Sequence, residues 1–150
     1  MIAMGYDLFG NAPTTTHGEY FRANIWGWQN FREMMAGADP NHKAFNTRDW
    51  ETISSNSGSK VPRSRCERMA RLILYKYALP PTSNTEAVLQ RIAGKRIFRN
   101  DVPGFTVDKL LGEWQKENPK TTRMEVDDYC NERLNDFVLF LSTCGGFACC

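Results

Sequence analysis

The residues of this chain best suited to surface chemistry are its cations. Between positions 60 and 100 ten lysines or arginines stand against only Glu67 and Glu86, a local excess of +8, whereas residues 1–59 sum to −2 and 101–150 to −4. Arg65, Arg68, Arg71 and Lys76 share one arc of a predicted helix with Leu72 and Tyr75; Lys60 and Arg63 precede it, and Lys95, Arg96 and Arg99 follow. Cations around an exposed ring supply phosphate contacts and base stacking, the ingredients of sequence-tolerant nucleic-acid binding, and they fit an acidic protein equally well. The alternative is a solvated face whose arginines pair with the acidic flanks.

A second constellation is YFRANIWGW, residues 20–28. On a helix turning about 100° per residue, Phe21, Ile25, Trp28 and Met35 make a core stripe. Trp26 then falls about 140° from Phe21, with Arg22 one turn before it and Gln29 and Glu33 beside it. It is either a second core residue on a helix covered on both sides or an exposed anchor. In the latter case Arg22, Trp26 and Glu33 form a partner-binding patch of the kind enriched at interfaces. Gly27 between the tryptophans costs about 1 kcal/mol in a helix interior, which points to a close approach, a kink or an early helix end.

Other chemistries find little support. The cysteines, at 66, 130, 144, 149 and 150, are odd in number and contain no CxxC pair, and His17 and His42 sit in predicted loops, so free thiols and no metal site are expected. There is no GxSxG elbow, no HExxH and no dinucleotide fingerprint, and SNSGSK lacks the first glycine of a phosphate loop. The sequence therefore reads as a non-enzymatic binding protein without a cofactor.

The elements that must position these residues are marked by local signals. A Ser or Thr stands three residues before a Glu at Thr16/Glu19, Ser64/Glu67, Ser83/Glu86 and Thr122/Glu125, each the pattern of a capping box at a helix start. Val107, Leu110, Leu111 and Trp114 extend a further helix from Thr106 to about Glu117, and TRDWETI, residues 47–53, adds a short one. Cys66, Met69, Ala70, Ile73 and Tyr77 make the core stripe of the basic helix; Val126, Cys130, Phe137, Leu141 and Cys144 make that of the last one, which Gly145 and Gly146 end. NAPTTT, AGADPN, SSNSGS, PPTSN and NDVPG read as turns, with SSNSGS (54–59) the most mobile. MGYDLFG and GGFACC read as strands that pair, because a lone strand leaves its backbone groups unsatisfied.

The expected fold is thus mainly α: a single domain over residues 1–150, with five or six helices and a small two-stranded antiparallel sheet joining the termini. The start MIAMGYDLFG lacks the basic region and long apolar core of a signal peptide, and no window is apolar enough to span a bilayer, so a cytoplasmic protein without a membrane partner is expected.

MGYDLFGNAP, YFRANIWGW and the terminal CGGF together resemble uncharacterised small accessory proteins of bacteriophages and prophages, which open in M-G-Y-D, run into Y-F-R-x-N-x-W-x-W and close in C-G-G-F. The resemblance covers about thirty residues at the two ends and brings no catalytic residues. It implies a phage protein acting in a bacterial host, whose partner is a host protein that it inhibits or diverts, with counter-defence of the anti-CRISPR kind the most concrete form. Binding of nucleic acid through residues 60–100 is the alternative, and a small enzyme with a site invisible in sequence is a second one.

Overall fold

Period-two alternation governs the start of the chain. The computed structural model describes residues 5–55, 58–79, 81–82 and 97–149, with the side chains of residues 25 and 26 outside that set. Strand β1 (Gly5–Gly10) pairs antiparallel with β2 (Tyr20–Asn24), Leu8 opposite Phe21 and Phe9 opposite Tyr20. On β2 the exposed Tyr20, Arg22 and Asn24 alternate with the buried Phe21 and Ala23. This strand corrects the expectation of a helix through residues 20–28: Thr16–Gly18 is only a short 3-10 turn, and no α-helix begins at the Thr16/Glu19 pattern. The helix α1 (Ile25–Ala38) starts where Asn24 caps it, its Oδ1 accepting from the Gly27 N–H at 2.7 Å. Gly27 therefore lies in the first turn and donates to the cap, so the interior penalty does not apply to it.

The expectation of a mainly helical fold with a two-stranded sheet is likewise corrected. The structure is mixed α/β, with a four-stranded antiparallel sheet in the order β2-β1-β6-β3 and a separate two-stranded ribbon. β6 (Gly146–Cys149) does pair with β1, Leu8 facing Cys149, but it also pairs on its other side with β3 (Lys60–Pro62), Val61 facing Phe147. The ribbon joins β4 (Asp101–Val102) to β5 (Phe105–Thr106). Pro103 and Gly104 make its tip, Gly104 taking a φ of 81°.

Four further described helices follow α1: α2 (Thr47–Ser55), α3 (Arg63–Tyr77), α4 (Val107–Glu117) and α5 (Arg123–Thr143). The capping box at Thr122 and Glu125 is present in both its bonds. α3, by contrast, begins at Arg63 after an extended Pro62 and has no side-chain cap, so Ser64 lies inside the helix; Glu67 takes the guanidinium of Arg63 instead. The pattern at Ser83 and Glu86 lies outside the described residues. α2 has a capping box built from Asn and Asp in place of Ser/Thr and Glu: Asn46 accepts from the Asp49 N–H, and Asp49 accepts from the Asn46 N–H.

Leu8, Phe21, Ala23, Val61, Phe147 and Cys149 turn one face of the sheet onto α1, α3 and α5, and are buried there. Phe137 of α5 meets Phe21, Trp28 and Phe31 at ring-centroid distances of 5.0, 6.0 and 4.8 Å. Residues 137–141 of α5 are all buried, as befits a helix covered on every side. Trp28 is 1% exposed and donates its indole N–H to the Ile53 carbonyl at 2.8 Å. Gly145 and Gly146, with φ of 68° and 89°, swing the chain from α5 into β6; a Cβ on Gly145 would stand 2.4 Å from the Ala12 carbonyl oxygen. Cys66, Cys130 and Cys144 are buried free thiols, and Cys149 is buried beside them in the core. Burial, with Asp127 nearby, pushes Cys130 up to about 12, and hydrogen bonding to Cys144 together with burial holds Cys66 protonated.

Candidate binding site on the outer face of the sheet

Alternation sends Asp7 and Phe9 of β1 and Tyr20 and Arg22 of β2 to the face opposite the core. The register sets Tyr20, Phe9, Ala148 and Lys60 in one lateral row across all four strands. Phe9 is 47% exposed and Tyr20 44%, their ring centroids 5.1 Å apart at 45°. Among the described residues no element covers this row. Two large rings on neighbouring strands, with a lysine at the far edge, make a platform that desolvates readily and offers π-faces to a partner.

Asp7 fixes the orientation of the polar members. Its Oδ1 accepts from Arg22 Nη1 at 2.9 Å and from the Tyr20 hydroxyl. The hydrogen bond to Asp7 is the main cause that raises the Tyr20 phenol above its ordinary range, so the phenol remains a donor further into alkaline pH than an ordinary tyrosine. Arg22 and Tyr20 are therefore held side by side by one carboxylate, with their remaining donor and aromatic surfaces directed to solvent.

At the β2 edge the face continues into a cleft of about 520 Å³ lined by Thr16, His17, Tyr20, Arg22, Arg133 and Asp136. Arg133 reaches from α5 to donate to the Arg22 carbonyl at 2.8 Å, and its guanidinium lies 4.6 Å from the Phe21 ring centroid. It thereby occupies an edge carbonyl that would otherwise be free to template another strand. Burial, then Glu132, raises the Asp136 carboxyl, while Arg133 and His17 oppose the shift. The cleft thus offers two guanidinium groups, a phenol, an imidazole and a carboxyl that protonates more readily than usual.

Of the sequence-predicted patch, the structure keeps Arg22 in this site but separates it from Glu33. Arg22 is in a strand, before the helix that carries Glu33, so the two never share a helical face. Glu33 is exposed on α1 in a different cleft, facing α2. The side chain of Trp26 lies outside the described residues.

The basic set is largely dispersed. Arg65 grips the buried Asp49 at 2.5 and 3.0 Å, Arg63 pairs with Glu67 at 2.7 Å, and Arg99 pairs with Asp101 at 2.9 and 2.6 Å. Lys76 donates to the Gly37 carbonyl at 2.5 Å. Arg68 and Arg71 remain exposed on α3 with Tyr75, which is 67% exposed. Lys60 belongs to the sheet row instead, and Lys95 and Arg96 lie outside the described residues.

Phe9, Tyr20, Arg133 and Asp136 were not singled out from the sequence. The signal that could have found the first two is the alternation in GYDLFG and YFRAN, read as two facing strands. Among the described residues no group of three His, Cys, Asp or Glu side chains is placed to hold a metal ion, and no described helix is long and apolar enough to cross a membrane. Comparison with protein-family models, with curated proteins and with solved structures gave no match. The architecture itself defines the class: an α/β domain with helices on one face of an antiparallel sheet and exposed aromatics on the other.

Proposed function

We propose that this is a non-enzymatic accessory protein of a bacteriophage that acts in the cytoplasm of a bacterial host, where it binds a host protein through the outer face of its sheet and inhibits or diverts it. Counter-defence of the anti-CRISPR kind is the most concrete form of that activity. The observation that carries the reading is the Phe9–Tyr20 ring pair, nearly half exposed, beside an Arg22 oriented by Asp7. Tyrosine and arginine with a second aromatic are the residues that dominate binding energy at protein interfaces. The resemblance of GYDLFG, YFRANIWGW and CGGF to phage proteins supports the setting.

The test is affinity purification from bacterial lysate with the wild-type protein and with Phe9→Ala and Tyr20→Ala. The expected outcome is a specific host protein retained by the wild type and lost by both variants. Retention of no specific partner, or equal retention by all three, overturns the reading.

A second reading, nucleic-acid binding, is favoured by the exposed Tyr75, one turn after the exposed Arg71 and two after the exposed Arg68 on α3. Such binding weakens steeply as salt rises, because each neutralised phosphate releases counterions. Unaltered affinity for single-stranded DNA or RNA in the Arg68→Ala, Arg71→Ala double variant removes this reading.

A further inference from the structure

The groove between α1 and α2 holds two orphaned donors. Arg32 Nε and Trp50 Nε1 are both buried, and neither finds an acceptor among the described residues. A buried donor left unpaired forfeits its hydrogen bond to water without replacement, so two of them on side chains that line one cleft are an anomaly that a ligand would relieve. Arg32 also differs from Arg22, Arg63, Arg65, Arg99 and Arg123, each of which is paired with a carboxylate.

The cleft has a volume of about 570 Å³, within the range of small-molecule sites, and Gln29, Glu33, Ala36, His42 and Ser54 complete its lining. One wall is aromatic: the His42 and Trp50 rings lie 5.4 Å apart at 37°. His42 holds a φ of 52°, left-handed for a side chain with a Cβ, and the Asp39 carbonyl accepts its N–H at 3.2 Å. Asp39 in turn is buried and accepts from the N–H groups of Lys43, Ala44 and Phe45 at 2.8, 3.0 and 3.0 Å. The loop that presents His42 is therefore fixed by a network, and the wall is built in advance of any ligand.

We infer that this groove binds a small organic anion carrying a flat ring. Its carboxylate or phosphate draws the partly exposed Arg32 and Trp50 side chains toward the cleft and accepts from Nε and Nε1, and its ring lies along the His42 and Trp50 wall. Glu33, exposed at the rim, disfavours ligands with several negative charges. The site is separate from the sheet face and stands or falls independently of the partner proposed for that face.

The experiment follows the indole N–H signal of Trp50 and the Nε–H signal of Arg32 by nitrogen–proton NMR. Three probes are titrated: indole-3-acetate as the ring carboxylate, adenosine 5′-monophosphate as the ring phosphate, and inorganic phosphate without a ring. Trp50→Phe assigns the indole signal, and the Trp28 indole, bonded inside the core, reports that each variant is folded. The expected result is a saturable shift of both signals by one of the ring-bearing anions, the arm that responds identifying the acid group. Affinity should fall about tenfold or more in Arg32→Met, the scale of one charge-assisted hydrogen bond, with Arg32→Lys in between. The inference is overturned if neither ring-bearing anion moves both signals, if inorganic phosphate binds as well as they do, or if Arg32→Met binds like the wild type.

Discussion

The arginine arc of α3 and the outer face of the sheet contain the same ingredients, guanidinium groups with exposed rings, yet they differ in what their carboxylates do. On α3, Arg65 is drawn onto a buried Asp49 sixteen positions earlier and Arg63 onto Glu67 at the surface, so part of the charge that crowds this stretch of sequence is neutralised by the protein's own carboxylates. On the sheet, Asp7 also engages an arginine, but it binds Tyr20 at the same time and sets both beside the exposed Phe9. A run of like charge in a sequence is therefore not yet a binding surface. Whether it becomes one depends on where the opposite charges fold.

The sharpest break in this contrast is between neighbours on β2. Phe21→Ala removes a ring packed on Phe31, Phe137 and Phe140, and chemical denaturation should show a loss of about 3–5 kcal/mol. Arg65→Ala comes next, because it strands a carboxylate that is 1% exposed: a loss of about 1.5–3 kcal/mol is expected, the scale of hydrogen bonds to a charged group. Adding Asp49→Asn should recover part of that loss in a double-mutant cycle; a strictly additive pair would show that Arg65 does not act through Asp49.

Tyr20→Ala should reverse the pattern, leaving the denaturation midpoint almost unmoved while weakening partner binding by about 2 kcal/mol, read by calorimetry. The smallest effect is expected at Asp136. Because burial raises its folded-state pKa above the unfolded value, the native state holds the proton longer, and stability falls as pH rises from the ordinary aspartate range through the raised value. Asp136→Asn should flatten that decline in melting temperature across mildly acidic pH, whereas an unchanged slope would place the titration elsewhere.

Local signals made the helical part of the fold legible. Thr122 with Glu125 opens α5, the apolar spacing from Val107 marks α4, and TRDWETI becomes α2, because each pattern is satisfied by residues within a turn or two. The strand β2 was hidden for the opposite reason. Phe21, Ile25 and Trp28 fit a helical period as sequence, and only the pairing of β2 with β1 makes residues 20–24 alternate. β3, only three residues long and directly after the Ser-rich stretch 54–59, is too short to show any period. The candidate site shared that fate. Arg22 stood out by composition, but the outward placement of Phe9 and Tyr20 is a property of register, and Arg65 could not be matched to Asp49 without the packing of α2 against β3 and α3.

The position of β6 has a consequence for how the molecule acquires its shape. This strand lies between β1 and β3, so Leu8 meets Cys149 and Val61 meets Phe147 across nearly the whole chain and more than half of it. The β1–β2 pairing and the helices close shorter loops and can form before these contacts exist, whereas β6 gains its hydrogen bonds only after both neighbours have met it, against the entropy of a long closure. Contacts of Phe147 are therefore expected to form on the late side of the folding barrier. Stopped-flow kinetics of Phe147→Leu should then show faster unfolding with little change in the folding rate, whereas slowed folding would place β6 in the nucleus.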